Sequence, residues 1–431
     1  MTVRLAFGIV LLCACGRLSA APDGGTSLEA GTDAEATCPP ATWSSFQDDS
    51  KWASVDVSAF SAAKGPFGGA AFDGKYVYFI PTWFGGVAPA DTVAARYDTS
   101  GALGSSTAWQ TFDLATIAPN SAFLGAAYDG RYLYVVGDAA ILRHDAQSAS
   151  GFADPSGWAQ FDVTTSLGPA LGGFVGAVFD GRWMYFVPGS DNGGYLDVVR
   201  YDTSSPFEDA GSWSAFNVAN GYSAHGFAGG AFDGRYVYFA PSRDAMQVDG
   251  DVVRYDTTAD FSTQSSWQEF DLTTVDPGAK GFFGAAFDGR RLYLVPFSDG
   301  ILNGTEDGIV AAYDTTAPFS SASAWATFDV SMAMSGAQGF LGATFDGRYV
   351  YLVPSEWNGG TVVRFDTMGP LTSSASWQGY DCTATCGVHG YLDAVFDGRY
   401  VYFAPNTDAV VRRFDARSPA CLPPRWNASF L

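Results

Sequence analysis

Apolar residues recur along this chain in short blocks, and one order of blocks returns seven times. The clearest block reads Phe-x-Gly-Ala-x-Phe-Asp-Gly-Arg-Tyr-Val-Tyr-Phe-Val-Pro, with its Asp-Gly at Asp73, Asp129, Asp180, Asp233, Asp288, Asp346 and Asp397. The intervals are 56, 51, 53, 55, 58 and 51 residues, close to the length of one four-stranded propeller blade. Four strand-like runs fit each unit, and in the first they are Phe67 to Phe72, Lys75 to Ile80, Val93 to Asp98 and Trp109 to Leu114. The run Tyr76-Val77-Tyr78-Phe79-Ile80 is apolar on both faces of a period-2 strand, so a neighbour is expected on each side. The run before it is small: Gly69, Gly125, Gly176, Gly229, Gly284 and Gly342 each follow a leading aromatic by two residues. Small residues suit strands crowded about a central axis. The Asp-Gly between the two runs predicts a two-residue type I′ hairpin with positive φ at both positions. The fold class that follows is all-β, a seven-bladed propeller of four-stranded antiparallel blades.

The remaining runs repeat as well. Val199-Arg200-Tyr201-Asp202, Val253-Arg254-Tyr255-Asp256 and Val363-Arg364-Phe365-Asp366 mark a third strand. Trp-x-x-Phe-Asp marks a fourth at Trp109, Trp158, Trp267 and Trp325, with variants at Trp213 and Trp377. In this order of a hydrophobic strand, a turn, a Tyr-containing strand and a spaced Trp, residues Trp52 to Asp415 resemble the kelch family of β-propellers. The resemblance implies radial blades; the kelch Gly-Gly doublet is replaced here by Val-Pro, Ala-Pro or Ile-Pro, as at Pro81 and Pro188. The seventh unit has two candidates for its fourth strand. Trp52-Ala53-Ser54-Val55-Asp56-Val57 matches the whole motif, and Trp426 matches only the spacing. The N-terminal strand is expected to close the ring in the last blade, since joining the chain ends in one sheet removes an open edge.

Residues 1–14 read as a signal peptide: Arg4, then the apolar stretch Leu5 to Ala14, too short to span a bilayer. Leu12-Cys13-Ala14-Cys15 resembles a bacterial lipobox, which implies lipidation of Cys15, with ordinary cleavage near Ala20 or Ala21 as the alternative. Residues 15–37 hold almost no large apolar side chain and read as a disordered acidic tether, leaving 38–431 for the propeller. The expected location is the bacterial outer membrane or cell surface, with a lipid as the sole membrane contact. Cys38, Cys421, Cys382 and Cys386 allow three disulfide connectivities; a Cys38–Cys421 bridge would fasten the two ends of the ring, and Cys382 with Cys386 would close a small loop. With three His and no Cys-x-x-Cys, no metal site is expected. No cofactor is expected either. The formal net charge of −22, from 45 acidic and 23 basic residues, repels phosphate backbones and argues against nucleic acid.

Candidate binding residues fall in two loop sets on one face of such a ring. Two residues ahead of each leading aromatic stand Gly65, Ser121, Gly172, His225, Lys280, Gln338 and His389, varied and mostly polar where neighbouring positions are uniform. After the second-strand prolines come Trp83, Asp191, Asp244, Asp299 and Trp357, a composition suited to stacking on and hydrogen-bonding a sugar. The stretch Asn303 to Gly308 is acidic enough to hold Ca²⁺ only weakly. The leading aromatics, Phe67, Phe123, Phe174, Phe227, Phe282, Phe340 and Tyr391, are expected in the packing between blades because every unit carries one. Asp393 replaces Gly at its register; an acid/base role there competes with a backbone contact at the ring closure, and the structural account is favoured.

No Gly-x-Ser-x-Gly or His-Glu-x-x-His occurs, and no catalytic residue is assigned. The expected function is an envelope-anchored, monomeric binding module for a glycan or protein ligand. A carbohydrate lyase or hydrolase and an envelope assembly scaffold are the alternatives.

Overall fold

The computed structural model describes residues 38–82, 92–189, 196–224, 226–243, 247–298, 306–355, 360–381 and 390–422, and the backbone of Ser429–Phe430. They form seven antiparallel blade sheets and a separate two-stranded sheet, and in blades 1, 2, 3, 5 and 6 the strands follow chain order from the axis outwards. Blade 1 is Phe67–Phe72, Tyr76–Pro81, Val93–Asp98 and Trp109–Asp113. The expected seven-bladed propeller is what the chain builds. Blade 7 comprises Tyr391–Phe396, Tyr400–Pro405 and Val410–Asp415, and its outer strand is Trp52–Asp56. Trp52 lies opposite Phe414 and Asp56 opposite Val410, so the N-terminal strand closes the ring.

The hairpins depart from the type I′ expectation. Gly74 has φ +97° and its six equivalents also have positive φ, while the aspartates do not. Phe72 pairs with Val77, and the Asp73 N–H donates to the Tyr76 carbonyl (3.1 Å), which makes Gly74 and Lys75 the loop. A positive φ at the first loop residue alone is the type II′ pattern. The aspartate is instead an acceptor. One Asp73 oxygen takes the N–H groups of Lys75 (2.7 Å) and Tyr76 (2.6 Å), and the other takes the Tyr78 hydroxyl (2.7 Å). The same three bonds recur in the last blade, from Arg399, Tyr400 and Tyr402 to Asp397.

Each outer strand is pinned by its tryptophan. Trp109 Nε1–H donates to the Leu103 carbonyl (2.8 Å), and Trp267 Nε1–H to that of Phe261 (3.0 Å). In blade 7 Trp52 does the same with Phe46 (3.2 Å), so the N-terminal segment supplies the complete module and buries Phe46. Third-strand arginines join neighbouring blades. Arg254 lies 3.8 Å from the Tyr236 ring centroid in its own blade and 4.2 Å from that of Phe319 in the next. The leading aromatics are buried in all seven blades, as expected for packing residues.

Much of the acidity belongs to this frame. Third-strand aspartates pair with the basic residue of the hairpin, from Lys75–Asp98 (3.3 Å) to Arg399–Asp415 (3.0 Å). The basic partners are largely exposed, so each pair contributes at most about 1 kcal/mol. The ring is further fastened by a Cys38–Cys421 disulfide and by Thr42–Trp43 pairing with Arg417–Ser418. Trp43 meets Tyr349 edge-on at 5.7 Å, and this strap covers blade 6, where Asp346 is wholly buried. Burial pushes the Asp346 carboxyl up to about 6. Cys382 and Cys386 lie outside the described residues.

Candidate binding face

A β-bulge in each inner strand shapes the face that carries the blade-to-blade loops. Phe67 pairs with Pro81 but Gly69 pairs with Ile80, leaving Gly68 as the extra residue. Proline has no N–H to give, so the ladder ends there and the chain bends outwards. The residue just before each leading aromatic is then held by the residue after the proline. The Thr82 N–H donates to the Pro66 carbonyl (3.0 Å), Ser242 to Gly226 (2.9 Å), Ser355 to Gly339 (2.9 Å) and Asn406 to Gly390 (2.9 Å).

The two loop sets read from the sequence are stitched together. The Gly281 N–H donates to the Asp249 carbonyl (2.8 Å) of the preceding blade, and the Gly339 N–H to that of Asp307 (2.9 Å). Gly281 (φ +70°) and Gly339 (φ +68°) occupy the left-handed region, and a Cβ on Gly281 would sit 1.9 Å from the Ser298 carbonyl oxygen. Each adjoining position therefore projects from a rigid frame. Asp249, Asp307 and Asp408 in the second loop set accept the N–H groups of Asp251 (2.8 Å), Ile309 (3.0 Å) and Val410 (2.8 Å), capping the third strands.

Of the candidate ligand residues, Ser121, Lys280 and Gln338 are described, all half-buried on this face. Gln338 meets a group the sequence reading passed over as a ligand residue: Glu306, to whose carboxylate it is hydrogen-bonded. Burial holds that carboxyl above the usual range, and the Gln338 bond partly offsets it. Glu306 Oε1 and, in blade 7, Asn406 Oδ1 are buried acceptors without a partner among the described residues. Glu306 had been visible only as part of an acidic stretch. Asn406 carries no signal beyond its place after Pro405. Ser121 lies apart in blade 2. His225, His389, Trp83, Asp191, Asp244, Asp299 and Trp357 lie outside the described residues, as does Cys15.

Behind these polar positions the inner strands carry an apolar collar. Leu124, Val175, Ala228, Phe283, Leu341 and Leu392, each directly after a leading aromatic, belong to one hydrophobic cluster spanning blades 2 to 7. Their variation in size with constant apolarity was the readable signal.

Asp393 is framework. Neighbouring inner strands approach so closely that a Cβ on Gly69 would lie 2.6 Å from the Ala126 nitrogen. At the junction of blades 7 and 1, the Asp393 carboxylate fills the seam instead. It accepts the Ala70 N–H (2.9 Å) across the junction and the Ala394 N–H (2.7 Å) within its own strand. Burial outweighs those two bonds and pushes its carboxyl up to about 7. His144 is likewise internal: its ring stacks on Trp158 at 4.7 Å, and burial lowers it to about 4.

Comparison with known proteins adds the fold alone. No family model matches the chain, and no curated protein sequence does. Among solved structures it is similar to YCF48 bound to D1 peptide, with TM-score 0.54 and 13% identity over 84% of this chain and 94% of that one. It is similar also to a catalytically inactive virginiamycin B lyase from Staphylococcus aureus with quinupristin, with TM-score 0.55 and 13% identity over 85% and 99% of the two chains.

Proposed function

We propose that this propeller is a non-catalytic binding module displayed on a bacterial envelope, and that its loop face takes a protein ligand in preference to a glycan. One observation carries the reading. The repeated carboxylates are engaged by hairpins, caps and seams, while Glu306 Oε1 and Asn406 Oδ1 are buried acceptors with no partner among the described residues, on the face where the repeat varies. Buried polar atoms are ordinarily satisfied, and a ligand's amides would supply the missing donors. Blades 5 and 6 add Lys280 and Gln338 at the same rim. A protein of similar fold was solved bound to D1 peptide, which supports a peptide ligand.

The test is a screen of the purified protein on peptide and glycan arrays, repeated with Lys280→Glu/Gln338→Ala and with His225→Ala/His389→Ala. A peptide hit weakened about tenfold or more by Lys280→Glu/Gln338→Ala is the expected result. Hits restricted to glycans, or binding indifferent to both double variants, would overturn it.

Envelope display rests on the lipobox-like Leu12-Cys13-Ala14-Cys15 and on the Cys38–Cys421 bridge, which suits an oxidising compartment. Cys15→Ser should release the protein from the membrane fraction; retention there would exclude the lipid anchor.

A further inference from the structure

The inner strand of every propeller blade is a sheet edge, and its outward main-chain groups face the axis. Such an edge is a template for another strand. In blade 4 the template is occupied. Ser429 lies opposite Ala231 and Phe430 opposite Gly230, antiparallel, so this sheet alone among those described has five strands. The added pair also neighbours the inner strands of blades 2, 3, 5 and 6, which places it on the axis.

Chain direction agrees with that placement. Phe227–Phe232 runs from the loop face to the hairpin face, so an antiparallel partner enters from the hairpin side. Cys421 is held on that side, its N–H donating to the Gly398 carbonyl (2.8 Å) in the blade 7 hairpin. The eight residues from Cys421 to Ser429 can span at most about 28 Å.

The inner strand of blade 4 also departs from the other six at one position. Gly230 stands where the other six units carry Ala70, Ala126, Ala177, Ala285, Ala343 and Ala394. A Cβ there would lie 2.6 Å from the Tyr238 carbonyl oxygen and 3.0 Å from Val178 Cγ2. Glycine at this position answers the close approach of the blade's own second-strand backbone and of blade 3.

We propose that the axial edge of Phe227–Phe232 is a strand-accepting site for an extended polypeptide, and that the chain's own C-terminal segment is its resident ligand. Recognition is through main-chain hydrogen bonds, as in β-strand addition. A tethered segment acts at an effective concentration of order millimolar, so it blocks a free peptide of similar intrinsic affinity. The site is on the axis and independent of the loop-face reading.

The test compares the protein as exported with a form ending at Pro424, which keeps the Cys38–Cys421 bridge and the whole ring. The probe is a fluorescent synthetic peptide of residues 425–431, followed by anisotropy and by hydrogen exchange of both proteins. Removing the segment should speed exchange in 227–232 while leaving 67–72 unchanged. The peptide should bind the shortened form at least tenfold more tightly than the exported one, and restore the protection. Unchanged exchange in 227–232, equal binding to the two forms, or no binding to the shortened form would overturn the proposal. Lys280→Glu in the shortened form should leave peptide binding intact, which separates this site from the loop face.

Discussion

One aspartate per repeat closes a hairpin by accepting three donors at once, and its value lies in where those donors are. Tyr293 is buried, and its hydroxyl donates to Asp288 (2.7 Å). Asp288→Ala strands that hydroxyl together with the Arg290 and Arg291 N–H groups. The expected loss is about 2–4 kcal/mol, measured by urea denaturation, because unmade buried bonds cost more than made ones contribute; a loss under about 0.5 kcal/mol would deny the carboxylate this role. Asp393 behaves differently. Its carboxyl is raised to about 7 from an ordinary value near 4, so it stays protonated in the folded state at pH values where the unfolded chain has released its proton. Its contribution to stability is therefore complete below about pH 4 and lost as pH rises through about 7. Asp393→Asn should remove that part of the slope, so the gap between variant and parent narrows or reverses between pH 4.5 and pH 7.5 in denaturant midpoints. Asp346, raised to about 6, leaves a parallel slope in both proteins.

Blades cohere through elements that reach past their own sheet. Arg254 shows how: its guanidinium is held by Gln268 (2.9 and 2.6 Å) and packs between Tyr236 and Phe319 of successive blades. Arg254→Ala should cost about 2 kcal/mol through lost packing and cation–π contact. Thermal unfolding checks this, and an unchanged midpoint would show the clasp to be idle. Blade 5 carries Ala312 at this register, so its junction with blade 6 is the softest expected of those whose partners are described. The elements themselves were plain in the sequence, because strand period, Gly position and Trp spacing repeat. The hairpin type was not. Asp-Gly fits either loop geometry by propensity, and the choice fell to the Tyr hydroxyl five residues on, whose position depends on how the strand packs.

At the scale of the whole ring, the chain ends act as a clasp. The outer strand of blade 7 comes from residues 52–56, and the Cys38–Cys421 bridge closes a separation of 383 residues. Cross-linking so long a loop removes unfolded-state freedom equivalent to about 6 kcal/mol. Cys38→Ser/Cys421→Ser should lower stability by that order in denaturation under non-reducing conditions, while reductant should have little effect on the variant. Equal stability of the two proteins would locate the clasp in the strand pairing alone.

The amino-acid order determined by itself the blade number, the strands and the burial of the leading aromatics, because each is set by local period and repeats seven times. The tandem Trp52 motif was enough to foresee the ring closure. What only the assembled molecule decided are single events that no repeat announces. Asp393 is structural because the Ala70 N–H, 323 residues away, arrives within 2.9 Å of it. Glu306 comes to meet Gln338 because neighbouring loops pack together, and blade 4 gains a fifth strand because all seven inner edges meet at one axis. Burial and the pairing of distant segments depend on closing the circle, and a one-dimensional pattern carries no distance across it.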